Sequence, residues 1–140
     1  MSSVKDSRNL VNGYAIPKEG YCDQPYVVIL NDGAWLCVLT TGVGKEGDEG
    51  QHSISARSTD QGKTWEAPVD IEPPVPPESS WLMPLIVPSG RIYAFYLYNT
   101  TNMREVISDS GLIKRVDTLG DMAYKYSDDH GKSWSAERYI

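Results

Sequence analysis

Two eight-residue segments, Ser58-Thr59-Asp60-Gln61-Gly62-Lys63-Thr64-Trp65 and Ser127-Asp128-Asp129-His130-Gly131-Lys132-Ser133-Trp134, carry carboxylate, hydroxyl and indole groups at one shared spacing. They align without a gap, 69 positions apart, as Ser-x-Asp-x-Gly-Lys-(Thr/Ser)-Trp. This set suits a self-locking turn rather than catalysis. The carboxylates of Asp60 and Asp129 can accept turn amides, as Asp does in Asx-turns. Gly62 and Gly131 permit positive φ. The hydroxyls of Ser58, Thr64, Ser127 and Ser133 tie the two limbs. Trp65 and Trp134 each bury a large face and keep one N–H for a partner. Outside these turns, chemistry-bearing side chains gather in a Gly-rich stretch with Glu46, Asp48, Glu49 and then His52, and at Asp23-Gln24. Arg104, Lys114 and Arg115 stand in a second polar stretch. The two cysteines, Cys22 and Cys37, cannot make a metal site alone; they read as small buried thiols, with a disulfide as the alternative.

The elements that must hold these residues read as strands. Gln24-Pro25-Tyr26-Val27-Val28-Ile29-Leu30 is β-branched and apolar, Asn31-Asp32-Gly33 offers a turn, and Ala34-Trp35-Leu36-Cys37-Val38-Leu39-Thr40 returns as a hairpin partner. A polar loop over 42–51 precedes a short third strand at 52–57, and Val69-Asp70-Ile71 is a weak fourth. The same grammar repeats. Strands are expected at 81–87 and 91–98 around the turn Pro88-Ser89-Gly90, and at 122–126 after a polar loop over 99–120. A fourth begins at Glu137-Arg138-Tyr139-Ile140. Each eight-residue motif thus falls between a third and a fourth strand. No amphipathic helix is evident, although the second loop has room for a helical turn.

Composition narrows the function classes. The chain has 140 residues, 40% hydrophobic and 23% charged, with a net charge of −6. An acidic chain is poorly suited to nucleic acid or an anionic membrane surface. Its longest apolar run, residues 92–98, is far short of the roughly 20 residues of a membrane span. The start, Met1-Ser2-Ser3-Val4-Lys5-Asp6, shows no signal-peptide pattern. Nine Tyr and four Trp against one Phe, with 12 Gly and nine Pro, fit half-wet strands joined by many turns. Asn99-Thr100-Thr101 has the form of a glycosylation acceptor.

The repeated segments resemble the Asp boxes, or BNR repeats, of sialidases. The run from Arg57 through Trp65 is especially close to sialidase usage. The resemblance implies an all-β fold: two four-stranded antiparallel blades, at about 21–72 and 81–140, of a six-bladed β-propeller, after a lead-in over 1–20. Closed propellers need about four to eight blades. The chain is therefore expected to be part of a larger protein, or to self-associate, since bare strand edges invite pairing. The activity implied is retaining hydrolysis of terminal sialic acid, or a related sugar, from a glycoconjugate. No metal or organic cofactor is suggested. Asp boxes also occur in non-catalytic propellers that bind carbohydrate or protein, and that is the competing reading.

Up-and-down topology places the Asp boxes and the turns at Gly33 and Gly90 at one end of the sheets. The loops 42–51 and 99–120, the link 73–80 and the strand start at Asp23-Gln24 come to the other, where binding chemistry tends to sit. By resemblance, Asp48 takes the acid/base role there, with Glu46 and Glu49 as competitors. His52 is a candidate for a substrate hydroxyl. Sialidases hold a substrate carboxylate with three arginines, the first opening a strand in an Arg-Ile-Pro motif. Here the strand start is Asp23-Gln24-Pro25, and Tyr14-Ala15-Ile16-Pro17 has Ala15 in the arginine's place: either the unit is not the first blade, or the site is not that of a standard sialidase, and Asp23 and Gln24 then suit sugar hydroxyls rather than a carboxylate. Arg104, Lys114 and Arg115 are the available cations. The family's Tyr–Glu nucleophile pair belongs to later blades. Tyr93, Tyr96 and Tyr98 read as packing residues.

Overall fold

The computed structural model describes residue 6 and residues 8–140. The start over Met1–Lys5, read above for a signal peptide, lies outside the described residues. Among the described residues, nine strands follow one short 3-10 turn at Leu10–Asn12. The first sheet has the order β1-β2-β3-β4, all antiparallel: β1 (Tyr21–Ile29), β2 (Trp35–Gly42), β3 (His52–Ser58) and β4 (Val69–Asp70). The second has the order β5-β6-β9: β5 (Ser79–Ile86), β6 (Ile92–Tyr98) and β9 (Asp121–Ser127). Between β6 and β9 a small hairpin forms from β7 (Val106–Ser108) and β8 (Gly111–Ile113). Among the described residues no helix is long and apolar enough to cross a membrane.

Two expectations need correction. The second sheet has three strands, not four. In the fourth position Tyr139 makes a single bridge, exchanging backbone bonds of 2.8 and 3.0 Å with Tyr124. The 99–120 segment is not a plain loop, because Val106-Ile107-Ser108 and Gly111-Leu112-Ile113 pair across a tight turn. Both sheets also begin earlier than the apolar pattern indicates, at Tyr21 and Ser79, since polar residues extend the ladders.

The sheets pack face to face through one side of each. Leu36 and Val38 of β2 meet Leu82, Ala94 and Tyr96 of the second sheet in one buried cluster. Alternation makes this possible: β6 reads buried and half-buried in strict succession, so its even residues from Ile92 to Tyr98 point at the first sheet. The opposite side of β2 and β3 is also covered. Cys37, Leu39 and Ile54 pack there with Ile16 of the lead-in, Cys22 and Trp65. Both cysteines are free, and burial pushes the Cys37 thiol up to about 12.

A buried charge sits in the seam. Glu72, 1% exposed at its side chain, follows β4 and reaches the second sheet. Its carboxylate accepts Arg138 Nε at 2.7 Å and Nη2 at 2.6 Å, and the Tyr96 hydroxyl. Lys125 Nζ lies 3.5 Å away and donates to the Ile71 carbonyl at 2.8 Å. Arg138 also stacks over the Tyr98 ring, 3.4 Å from its centre. Burial opposes the charge on Glu72, but the Arg138 and Tyr96 bonds and the nearby Lys125 hold its pKa below the usual carboxylate value.

The Asp boxes close as their residues require. Ser58 Oγ donates to Asp60 Oδ1 at 2.8 Å and accepts the Gly62 amide at 2.8 Å. Asp60 then takes the Thr64 amide at 2.8 Å and the Thr64 hydroxyl at 2.7 Å. The second box repeats this, with Ser127 Oγ to Asp129 Oδ1 at 2.8 Å and the Ser133 amide and hydroxyl on Asp129 at 2.9 and 2.5 Å. Two consecutive left-handed residues make each turn, Gln61-Gly62 and His130-Gly131, with φ between 62° and 80°. At Gly131 a β-carbon would lie 2.7 Å from Leu36 Cδ1, so the second turn also seats against the first sheet.

These locks have consequences for stability. The Thr64 amide and hydroxyl bring Asp60 down to about 2; Asp129 reaches about 2 because bonds from Ser133 and Ser127 overcome its burial. Both folded values are depressed below 3.8, so the stability the boxes contribute is complete above that pH and lost as pH falls towards 2. Urea midpoints measured across that window should fall less steeply in Asp60→Asn/Asp129→Asn than in the parent; equal slopes would refute the assignment. Separately, Glu72→Ala strands Arg138 and Lys125 in the seam and should cost about 3–5 kcal/mol in urea unfolding. Tyr96→Phe removes one bond and should cost about 1 kcal/mol. A Glu72→Ala penalty no larger than that of Tyr96→Phe would rule out the seam as a charge lock.

Candidate functional site

Antiparallel order puts both Asp boxes and the β1–β2 and β5–β6 turns at one end of the sheets. The opposite end collects the starts of β1 and β5, the link 73–78 and the two long loops. The first strand of each sheet leaves this end through a matching irregularity. The β1–β2 register slips between Asp23 and Tyr26, and the β5–β6 register between Ser80 and Met83. Each slip holds a non-glycine residue at positive φ, Gln24 at 47° and Trp81 at 57°. Such backbone costs about 1–3 kcal/mol per residue, and bulges next to functional sites re-aim side chains. The two strand starts are tied together: the Trp81 amide donates to Thr40 Oγ1 at 3.1 Å, and Thr40 pairs with Asp23 across the ladder.

The long loops are clamped to each other by ion pairs. Arg104 donates to Glu78 Oε1 at 2.8 Å and lies 4.0 Å from Glu49. Glu78, only 1% exposed at its side chain, also accepts the Gly50 amide at 3.0 Å. Burial opposes its charge, but Arg104 and that amide hold its pKa below the ordinary value. Its Oε2 has no partner among the described residues. Arg115 grips Asp117 at 3.0 and 2.5 Å and Glu46 at 2.7 Å. The Val116 amide reaches the Gly47 carbonyl at 3.4 Å, where a β-carbon on Gly47 would come within 2.9 Å of Arg115. Burial, helped by Asp23, Glu46 and Asp117, pushes the nearby Tyr21 hydroxyl up to about 12.

The expected site residues fall as follows. Asp48 is half-buried; its Oδ2 accepts the Lys45 amide at 3.0 Å, so one oxygen pins its own loop. Asp23 and Gln24 stand at the strained start of β1. His52 is buried, its Nε2 lying 3.6 Å from Asp70 and 3.7 Å from Glu19, and its Nδ1 3.4 Å from the Gly50 carbonyl. Its contacts run to the lead-in and to β4. Arg104 and Arg115 are engaged with acids, and Lys114 is exposed. Glu78, Asp117, Tyr21 and Trp81 join this end, and the sequence pattern does not single them out. For Glu78 a signal exists: it is an acid in the Pro-rich link 73–80, on the loop end.

Tyrosine hydroxyls donate to glutamates twice among the described residues: Tyr139 to Glu137 at 3.1 Å, at the exposed outer edge of the second sheet, and Tyr96 to Glu72, sealed between the sheets. Burial pushes the Tyr96 hydroxyl far up, with the Glu72 carboxylate adding to the shift. Such a phenol packs; it does not attack a substrate. Among the described residues no group of three His, Cys, Asp or Glu side chains is placed to hold a metal ion.

Comparison with known proteins bears on the repeats and the fold. Residues 56–67 and 125–136 match the BNR/Asp-box repeat family. No curated protein sequence matches the chain. The fold is similar to that of the Hadza microbial sialidase Hz136, at 19% identity and a TM-score of 0.57, over 79% of this chain and 24% of that one. It is also similar to a protein of unknown function from Dyadobacter fermentans DSM 18053, at 18% identity and a TM-score of 0.61, over 89% of this chain and 37% of that one. The chain thus spans well under half the length of either structure. It carries two BNR/Asp-box repeats on a sialidase-like, all-β fold.

Proposed function

We propose that the chain forms two units of a sialidase-like glycoside hydrolase of propeller form, with its loop end turned to a glycan. One observation carries this reading: both self-locked turns lie at one end, while the long loops and both strained strand starts lie at the other. The repeat match and the likeness to a sialidase fold support it. In the larger protein the activity is retaining hydrolysis of a terminal sialic acid or related sugar. Asp48 serves there as acid/base, through the oxygen its turn leaves free, and Asp23 and Gln24 serve sugar hydroxyls, while His52, 1% exposed among Glu19, Asp70 and the Gly50 carbonyl, is closed to a ligand. Of the Tyr–Glu pairs among the described residues, Tyr96–Glu72 is sealed between the sheets, and Tyr139–Glu137 lies at the outer edge of the second sheet, where Tyr139 bridges the middle of β9.

A second reading, a non-catalytic Asp-box module that binds carbohydrate or protein, draws on the engagement of Arg104 and Arg115 by Glu78 and Asp117. Neither guanidinium is free to fork onto a substrate carboxylate. Fluorogenic glycosides, a sialoside among them, separate the two readings. The chain alone should release no fluorophore. A longer protein that contains it should, and Asp48→Asn there should lower kcat by about a hundredfold or more. Unchanged kcat in that variant removes Asp48 from the mechanism. Binding of glycans without any hydrolysis favours the second reading.

A further inference from the structure

The two strained strand starts are one position occupied twice, by unlike side chains. The β1–β2 ladder jumps from the pair Asp23–Thr40 to Tyr26–Val38, and the β5–β6 ladder from Ser80–Leu97 to Met83–Phe95. In both, two residues stand opposite one, as in a β-bulge. Superposing the ladders sets Ser80 on Asp23 and Trp81 on Gln24. Each bulge lies in the first strand of its sheet, an edge strand. Glycine would take such a positive φ at no steric cost, whereas a bulky residue there is a genuine outlier. The chain nevertheless keeps an indole at the second bulge, at φ 57°, and holds it firmly. Ser80, just before it, donates its hydroxyl to the Asp117 carbonyl at 2.7 Å. Leu82, just after it, is fully buried in the core. The Trp81 amide donates to Thr40 Oγ1 at 3.1 Å, and Thr40 stands opposite Asp23 on one face of the ladder. Trp81 is thus pinned beside Asp23, yet is itself 38% exposed.

A rigid, exposed aromatic beside hydroxyl acceptors selects a ligand class. A side chain already held by its backbone loses little freedom on binding. Its flat face packs against the C–H face of a pyranose, while a few polar groups fix the sugar's orientation. Asp23, the free oxygen of Asp48 and Glu49 accept hydroxyls at this end and repel an anion. The cations Arg104 and Arg115 are spent on Glu78 and Asp117. We propose that Trp81 is the platform on which an uncharged sugar ring of the glycan stacks, with Asp23 accepting a hydroxyl from the rim of that ring. This role rests on the glycan reading of the loop end, and adds to it the class of the ring and the residue that holds it.

The test follows the four indole N–H signals of the nitrogen-labelled 140-residue chain, assigned by single Trp→Phe changes. The probes are lactose, cellobiose and N-acetylneuraminic acid, with calorimetry for the affinities of variants. Lactose or cellobiose should shift the Trp81 signal saturably and leave those of Trp35, Trp65 and Trp134 in place. Trp81→Gln installs the side chain that the first bulge already carries, so the backbone accepts it, and it should weaken binding about tenfold. Trp81→Phe keeps an aromatic face and should stay within about threefold of the parent. Should Trp81→Gln unfold, the saturable shift in the parent and the Trp81→Phe affinity still decide. The platform is refuted if neither neutral sugar moves the Trp81 signal at high millimolar concentration, if the acid alone moves it, or if Trp81→Gln binds as the parent does. In that last case, weaker binding by Asp23→Asn keeps the glycan reading of the loop end while removing Trp81 from it. Hydrolysis by a longer protein tests that reading independently.

Discussion

An ionised carboxylate buried between two sheets is expensive, and the position of everything at the loop end depends on how Glu72 meets that cost. Its oxygens receive two guanidinium bonds and a phenol, with an ammonium 3.5 Å away. Apolar contact alone, Leu36 and Val38 against Ala94 and Tyr96, tolerates sliding because it has no direction. A bidentate arginine does not, since its fork fits the carboxylate in one geometry. The Glu72–Arg138 pair therefore fixes the second sheet against the first along the strands. Buried ion pairs are weak evidence of net stability. Their contribution here is registration, and the strand starts at Asp23 and Trp81 inherit it through the Thr40 bond.

The Asp-box end is fixed by shorter-range means. Each box is a closed circuit of Ser, Asp and Ser/Thr that satisfies its own turn amides, so it needs little from the rest of the fold. The indole is the part that reaches outward. Trp134 spans the seam to Ser55 of β3, which makes the second box an inter-sheet clasp. Arg57 adds to the clasp by donating to the His130 carbonyl and, at 3.2 Å, to Asp32 in the first hairpin turn. Trp65 meets no second sheet among the described residues. It packs on Cys37, Leu39 and Ile54 under the lead-in. One motif thus serves two environments, and only one of them satisfies its N–H.

Most of the strands were legible because alternation and turn chemistry are local. The Asp boxes were legible for the same reason, since the whole circuit fits within eight residues. The bulges at Gln24 and Trp81 were not. Positive φ at a non-glycine residue has no signature of its own and is imposed by the ladders on either side. The β7–β8 hairpin was hidden by its length, three residues a strand in a polar stretch. The loop-end ion pairs lay further out of reach. Arg115 and Glu46 are 69 residues apart, and Arg104 and Glu78 are 26 apart, so their meeting is a product of the packed sheets. The sequence placed Asp48 in a loop-end segment but did not reveal that one of its oxygens holds the turn.

Those ion pairs decide what the loop end favours. A ligand carboxylate seeking Arg115 must compete with Asp117, which is 2% exposed and already bonded at two points. Displacing Asp117 would leave a buried anion unpaired, a loss larger than one exposed ion pair returns. Arg104 presents the same difficulty through Glu78, which is nearly as buried. Of the remaining carboxylates, Asp23, the free oxygen of Asp48 and Glu49 are acceptors open to a ligand, while the unpartnered Oε2 of Glu78 is buried. Acceptors suit donors, and a sugar hydroxyl is a donor that brings no charge. The electrostatics of this pair of units thus favour hydroxyl recognition, and a carboxylate-holding arginine cluster, where one exists, has to come from outside them.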